Sequence, residues 1–297
     1  IPTLVTSMGT GKFQDVPMRG TITKPFEGRS RHTAVTVKNQ KGDNKGEISL
    51  YVYGGVHGKD QMFSLSLGPQ LEWTRISADG SGPGDLFSHC SASIKSKIYI
   101  FGGLDSSSTC SNSLYEFDTV TSRWNTIKFV LGSSSPPPNP YYKMHALGEN
   151  LILIGNEKMK KKQTKMTLYI LNVRSGIERK WKTIDISKKV TLGDMFETVA
   201  LYDNFDILVR EPVGRTVQIL IFDGSKPVTS SKKSEEAGST SSSRNMSDNQ
   251  QAKMWMLEFS DDIENNEVKV NVVKVPQDST TPGLRVGQSI SALIPPL

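Results

Sequence analysis

The sequence predicts an all-β fold built from a repeated module of about fifty residues. In two modules an apolar strand ends on a pair of glycines, Gly54-Gly55 and Gly102-Gly103. A strand with aromatic residues then follows a polar loop, and a tryptophan opens the last strand. These tryptophans, Trp73, Trp124 and Trp181, recur at nearly the same spacing as the glycine pairs. Short strands separated by turn residues in this way are typical of repeated four-stranded sheets.

Module 2, from Phe87 to Val130, is the clearest copy. Its four predicted strands lie at 87–94, 98–101, 114–118 and from Trp124 onward. The second strand is an unbroken apolar run, which favours burial on both faces, whereas the third alternates as a half-buried strand does. Module 1 begins at Arg31 and repeats this order, with a hydrophilic excursion at 39–47 between its first two strands.

Module 3, from Tyr141 to Ile184, has Gly155-Asn156 in place of two glycines. Asparagine tolerates a positive φ better than most residues, so we expect the same turn there.

Module 4 is the most divergent copy. We expect its first two strands at 196–201 and 205–210, with Arg210-Glu211 in place of the glycines, and its last strand within 268–275. Two segments compete for the third strand, 216–223 and 254–259, and the sequence leaves both open.

The remaining segments extend this scheme. Residues 224–251 contain almost no apolar side chain, and such a composition cannot offset the entropy of ordering, so we interpret them as a disordered insertion. The start of the chain, 3–16, and its end, from Leu284, each look like part of a module. We therefore expect one domain over residues 1–297, because a single four-stranded unit cannot cover its own apolar faces.

The modules resemble the kelch repeat in their four strands, the Gly-Gly pair, the aromatic third strand and the tryptophan of the fourth. Kelch repeats form the blades of a β-propeller. The resemblance implies an all-β propeller with four full four-stranded blades and a partial blade from the two ends of the chain, or a fragment of a larger propeller.

Composition sets further bounds. The net charge is +6 and 36% of residues are hydrophobic, as in ordinary globular proteins. No run of eighteen apolar residues predicts a membrane span, and no signal peptide is evident at the start, Ile1. Two cysteines, Cys90 and Cys110, favour separate thiols in a reducing compartment over a single disulfide. We therefore expect a cytoplasmic or nuclear protein.

The candidate partner-binding residues lie in loops that follow the second strand of a module, or at the positions expected to be equivalent. They are His57, Lys59, Asp60, Asp105, Lys158, Lys160, Lys161, Lys162, Arg210 and Arg215. The lysine run could attract phosphates or an acidic peptide. Three other histidines, His32, His89 and His145, occupy first strands and are interpreted as structural. No spacing typical of a metal or cofactor site is present.

The leading functional hypothesis is a non-catalytic scaffold that binds a partner protein or peptide through these loops, as kelch propellers usually do. The alternative is an accessory domain of a larger enzyme, such as a tRNA wybutosine-synthesising methyltransferase, with the lysine run contacting RNA. No catalytic constellation supports an enzyme in this chain.

Overall fold

The computed structural model describes residues 3–4, 14–15, 28–40, 45–68, 71–129, 135–158, 164–174, 178–186, 205–213, 216–223, 253–260 and 271–274. The chain divides into two compact units, one formed by 1–155 and 168–183 and the other by 156–167 and 184–297. The expectation of one domain stays a prediction. No helix in the described part of the chain is long and apolar enough to cross a membrane.

Four four-stranded sheets among the described residues confirm the four predicted modules, and in each the strands lie side by side in chain order. Module 1 contains β3 (Thr33–Lys38), β4 (Ile48–Tyr53), β5 (Met62–Ser66) and β6 (Glu72–Ile76). Module 2 contains β7 (Cys90–Ile94), β8 (Lys97–Phe101), β9 (Leu114–Asp118) and β10 (Arg123–Ile127). Module 3 contains β11 (Lys143–Leu147), β12 (Asn150–Lys158), β13 (Thr164–Asn172) and β14 (Lys182–Asp185). Module 4 contains β15 (Phe205–Val213), β16 (Thr216–Asp223), β17 (Lys253–Ser260) and β18 (Asn271–Lys274).

A further pair of short strands precedes module 1. Strand β1 (Thr3–Leu4) pairs antiparallel with β2 (Gln14–Asp15), which agrees with a partial blade at the start of the chain.

Strand β8 has an unbroken apolar run because both of its faces are buried. Ile98 and Ile100 belong to a core cluster that includes Val37 and Tyr53 of module 1. Tyr99 and Phe101, on the opposite face, belong to a cluster with Tyr142, Met144, Leu151 and Leu153 of module 3. Module 2 is therefore packed between its two neighbours, and residues on both faces of its second strand are buried from solvent.

The two glycine pairs lie where modules meet. Gly54-Gly55 and Gly102-Gly103 have φ values between 64° and 92°, a region that side chains with a Cβ rarely adopt. In each pair the second glycine packs on the histidine before the first strand of its own module. A Cβ added there would come within 2.8 Å of the Cβ of His32 in module 1 or of His89 in module 2. Both the backbone and the packing therefore require glycine.

Backbone hydrogen bonds join module 1 to module 2 at the same place. The Gly55 amide donates to the Leu86 carbonyl at 2.9 Å, and the Ser88 amide donates to the Arg31 carbonyl at 2.9 Å. A Cβ on Gly54 would overlap that Leu86 carbonyl. We call this set of contacts the joint, and it depends on the absence of side chains at both glycines.

His89 is a structural part of the joint, as the sequence predicts. Its ring lies edge-on to Tyr53 at 5.7 Å, and its Nε2 lies 2.8 Å from the Thr33 hydroxyl. Burial lowers the pKa of His89 to about 3, and the nearby His32 contributes to the same shift. The ring is therefore neutral in the folded protein at physiological pH.

The predicted turn at Gly155-Asn156 is wrong. Strand β12 continues through both residues to Lys158, and Gly155 does not adopt a positive φ. This glycine is required for another reason, because a Cβ there would overlap the ring of Tyr142. Tyr142 directly precedes the first strand of module 3, as His89 does in module 2, and its ring packs against Gly155.

Module 4 also differs from the prediction. Both competing segments are strands, and the sheet begins at Phe205, so 216–223 is the second strand and 254–259 lies in the third. Alternate residues of β16, namely Val217, Ile219 and Ile221, are fully buried, as expected of a central strand. Residues 211–213, expected in a loop after the second strand, therefore lie in the first strand, and they are not equivalent to the loop after Gly54-Gly55. The predicted strand 196–201, the proposed insertion 224–251 and the end from Leu284 lie outside the described residues.

We expect Gly103→Ala to lower the free energy of unfolding by about 2–4 kcal/mol. The left-handed backbone contributes about 1–2 kcal/mol, and the contacts with His89 and Phe87 contribute about as much again. Gly46→Ala is the matched control, because Gly46 has a φ of 92° with nothing within 4 Å of the added Cβ. Urea unfolding measures both, and equal losses would contradict the packing of Gly103 against His89 and Phe87.

The neutral His89 predicts a dependence of stability on pH. Because its pKa is lower in the folded than in the unfolded protein, its contribution is complete above pH 6.5 and is lost as the pH falls toward 3. Between pH 7 and pH 5 the loss should be about 2 kcal/mol. The change in urea midpoint between these pH values should be smaller in His89→Gln, and an unchanged difference would refute this assignment.

Candidate functional site

The loop between β4 and β5 has a strained backbone and exposed side chains. His57 and Lys59 both adopt positive φ values, 66° and 50°, although neither is glycine. Each costs about 1–2 kcal/mol in that conformation. Both side chains and that of Asp60 are exposed. Such strain persists only where the surroundings fix the backbone, and it is common in binding loops.

Several contacts fix this loop from beneath. The Val56 amide donates to the Ser30 carbonyl at 2.8 Å, and the Gly58 amide donates to the Gly55 carbonyl at 2.8 Å. Arg29 donates through Nη1 to the Gly54 carbonyl at 3.1 Å. The loop therefore presents His57, Lys59 and Asp60 from a preorganised backbone.

A cleft of about 480 Å³ lies beside this loop, and we call it the loop cleft. It is formed by the ends of β4, β5 and β6, by the segment after β6, and by Trp124 of module 2. Its described lining consists of Tyr53, Asp60, Gln61, Met62, Arg75, Ile76, Ser77, Ala78, Gly80, Gly82, Gly84 and Trp124.

Glycines shape one wall of the loop cleft. The segment 77–84 follows the indole of Trp124 so closely that a Cβ on Gly82 would lie 2.9 Å from its Cδ1. The Trp124 amide donates to the Asp79 carbonyl at 2.8 Å, which holds the segment in place. The wall therefore consists of backbone and leaves room for an occupant.

Tyr53 holds the C-terminal end of segment 77–84 in place. Its hydroxyl donates to the Gly84 carbonyl at 2.7 Å, and its ring lies edge-on to Trp124 at 5.3 Å. Burial, with smaller effects of Asp60 and Asp85, raises the pKa of Tyr53 well above its usual value. The hydroxyl therefore stays protonated and keeps its role as a donor.

The mouth of the loop cleft carries charges of both signs. Asp60 and Arg75 are exposed lining residues, and neither has an ion-pair partner among the described residues. The cleft can thus offer one acceptor and one cationic donor to a ligand.

The structure brings together three of the predicted site residues, His57, Lys59 and Asp60. Asp105 lies in the corresponding loop of module 2 and supports that loop, since its Oδ1 accepts from the amides of Ser107 and Thr109 at 2.9 and 2.8 Å. Its position therefore gives it a structural role in addition to any role in binding.

The other predicted residues are not brought to the loop cleft. Lys158 ends β12, while Lys160, Lys161, Lys162 and Arg215 lie outside the described residues. Arg210 lies in β15 and not in a loop. Its guanidinium donates to Gln218 at 2.9 Å, and Gln218 donates to Glu258 at 2.7 Å, which forms a polar row across three strands.

Sequence reasoning missed the residues that form the cleft itself: Tyr53, Arg75, Trp124 and the glycines of 77–84. The alternating glycines of Gly80-Ser81-Gly82-Pro83-Gly84 were an available signal, because glycine at every second position indicates close approach to a backbone. Trp124 marks the repeat, and that pattern alone does not indicate a cleft.

Within the described residues, no group of three or more histidine, cysteine, aspartate or glutamate side chains could hold a metal ion. Cys90 and Cys110 are free thiols, one buried in a strand and one partly exposed in a loop.

Comparisons with known proteins agree with the repeat. The sequence profile of the KLHDC2/KLHL20/DRC7 Kelch-repeats domain matches residues 3–209. Among solved structures, the one titled "Structure of YjhT" is similar with a TM-score of 0.51 and 13% sequence identity, covering 87% of this chain and 68% of that one. At 13% sequence identity, this similarity shows a shared fold alone. The predicted kelch-type β-propeller fold is confirmed, and the chain belongs to the Kelch-repeats domain family of KLHDC2, KLHL20 and DRC7.

Proposed function

We propose that this chain is a non-catalytic protein-interaction module that binds a segment of a partner protein at the loop cleft. The observation that carries this function is the strained, exposed loop with His57 and Lys59, held rigidly at the edge of an open cleft. Domains of the kelch type generally act as protein-interaction modules, which supports the same function.

The chemistry of the loop cleft suits an extended peptide. Apolar surface comes from Ile76 and from the small exposed parts of the otherwise buried Tyr53, Met62 and Trp124, and the glycine wall exposes backbone groups. Arg75 can pair with an acidic side chain, and Asp60 with a basic one. A preorganised site of this kind loses little entropy on binding, so a short peptide can be held with measurable affinity.

Two observations favour binding over catalysis. Kelch propellers are generally non-catalytic. The described lining of the loop cleft contains neither histidine nor cysteine, the side chains that most often activate or provide a nucleophile. The proposed location is the cytoplasm or nucleus, where two free thiols would remain reduced.

Site-specific photo-crosslinking tests this function. A benzoylphenylalanine at position 59 should capture a defined partner peptide from cell extract, whereas the same probe at Lys38, an exposed position at the other end of β3, should not. Purified partner peptide should then bind at least tenfold more weakly to Arg75→Glu, because a charge-assisted contact becomes repulsive. Glu72→Lys, which reverses a charge on the same strand, should bind as the wild type does.

Several results would refute the proposal. Equal capture at positions 38 and 59, or a peptide affinity insensitive to Arg75→Glu, would place binding elsewhere. A different result would support the accessory role in a larger enzyme. In that case the probe would crosslink RNA, and the affinity for RNA would fall steeply with salt and would be weakened by replacing Lys160, Lys161 and Lys162 with alanine.

A further inference from the structure

A second cleft, of about 190 Å³, lies at the opposite end of the strands of modules 2 and 3. It is formed by the β7–β8 turn, the β11–β12 turn and three described residues that follow β13, and we call it the turn cleft. Its described lining consists of Ile94, Lys95, Ser96, Lys97, Tyr99, Glu149, Val173, Arg174 and Arg179.

The lining is strongly cationic. Four of the described lining residues are lysine or arginine, and Glu149 is the one carboxylate among them. Lys95 donates to Glu149 at 2.5 Å, while the Arg174 Nε lies 3.8 Å from the same carboxylate, too far for a hydrogen bond. The hydrogen bond from Lys95 holds the pKa of Glu149 below its usual value, so this carboxylate is ionised and only partly balances the cations.

Beneath the lining, Glu116 is a buried carboxylate with both oxygens engaged. Its Oε1 accepts from Lys97 at 2.6 Å and its Oε2 from the Tyr99 hydroxyl at 3.0 Å. Glu116 therefore pairs with Lys97, and no ion pair among the described residues joins it to Lys95, Arg174 or Arg179. Arg179 has no ion-pair partner among the described residues, and the Arg174 guanidinium retains donors for another acceptor.

The backbone keeps these groups in place. The Ser96 carbonyl accepts from both the amide and the hydroxyl of Thr119, at 3.0 and 2.8 Å. The Glu149 carbonyl accepts from the Val173 amide at 2.9 Å. Both turns of the cleft are therefore tied to the next connection of their own module.

Lys95 occupies a position where glycine would be less strained. It has a φ of 56°, and Gly148 occupies the equivalent position of the β11–β12 turn with the same φ. Module 3 thus uses the residue that this turn favours, whereas module 2 keeps a lysine in a left-handed conformation beside the cleft. A strained cation at the mouth of a cationic cleft points to a bound anion.

We propose that the turn cleft binds the phosphate group of a phosphorylated serine or threonine in a partner protein. A phosphate monoester carries a charge of about −1.5 to −2 and three acceptor oxygens. Its oxygens match the donors that Lys95, Arg174 and Arg179 offer in the lining, and arginine is suited to bidentate contacts with phosphate. A peptide carboxylate offers less charge and would gain little over the resident Glu149.

This site is independent of the loop cleft. No residue is shared between the two described linings. Failure of one proposal therefore leaves the other standing, and variants at one cleft serve as controls for the other.

Binding of an Ala/Gly-flanked phosphoserine hexapeptide, followed by amide chemical shifts in ¹H–¹⁵N spectra of the intact chain, tests the proposal. We expect shifts confined to Ser96, Glu149, Val173 and their neighbours, and an affinity at least tenfold above that of the unphosphorylated peptide. Arg179→Met and Lys95→Gly should each weaken binding about tenfold. Lys95→Gly should not lower the unfolding midpoint, because glycine relieves the left-handed backbone.

Matched variants separate the site from general charge effects. Lys128→Met removes an exposed cation at the other end of module 2 and should leave the affinity unchanged. Glu149→Gln removes the resident competitor and should strengthen binding, whereas Glu72→Gln, an equal change of net charge in module 1, should not. A gain of affinity cannot result from misfolding.

The proposal is overturned if the phosphorylated and unphosphorylated peptides bind alike, or if a glutamate peptide binds as well as the phosphorylated one. It is also overturned if Lys128→Met weakens binding as much as Arg179→Met, or if the chain binds mixed phosphatidylcholine and phosphatidylserine vesicles but not the peptide. Inorganic phosphate alone should displace the peptide, and failure to do so would show that the phosphate is not what the cleft holds.

Discussion

Two glycines at the end of a buried strand allow neighbouring modules to meet through their backbones. At the joint between modules 1 and 2, the amide of Gly55 reaches the carbonyl of Leu86, and the His32 Cβ occupies the space that a side chain on Gly55 would need. Apolar packing on both faces of β8 is non-directional and could not by itself fix how two sheets are placed. The glycine pair adds direction, because the Gly55 amide meets the Leu86 carbonyl while both glycines keep positive φ values.

The loop cleft depends on that constraint. The loop that carries His57 and Lys59 leaves directly from Gly54-Gly55, so its strained backbone starts from a fixed position. The loop cleft needs Trp124 of module 2 against the glycine segment after module 1, and the joint sets the distance between them. At the other end of modules 2 and 3, apolar packing between these two modules brings together two turns whose charges come from different modules. Neither cleft exists within a single sheet.

Much of the fold was predictable because it is local. Modules 1 and 2 each contain an apolar run, a glycine pair and a tryptophan, and each of these patterns depends on burial or on residues nearby in the sequence. The observed strands lie where these patterns predict them. The turn predicted at Gly155-Asn156 is wrong because strand β12 continues there, and Gly155 packs against the ring of Tyr142, a contact that the local sequence does not reveal. Module 4 failed because 216–223 and 254–259 both have strand patterns, and only the pairing of β16 with β15 and β17 orders them. The clefts were largely missed for a related reason: Arg75 and Trp124, or Lys95 and Arg179, are close only after the modules pack.

Native-state hydrogen exchange at the amides of Gly55 and Ser88 tests most directly whether the joint holds modules 1 and 2 together. Both amides donate across the joint and belong to neither sheet. If the joint is as described, they exchange only through the opening that also exposes the buried amides of Ile98 and Ile100, with the same free energy. Exchange as fast as that of exposed loop amides would contradict it, because the two modules would then be placed by apolar packing alone.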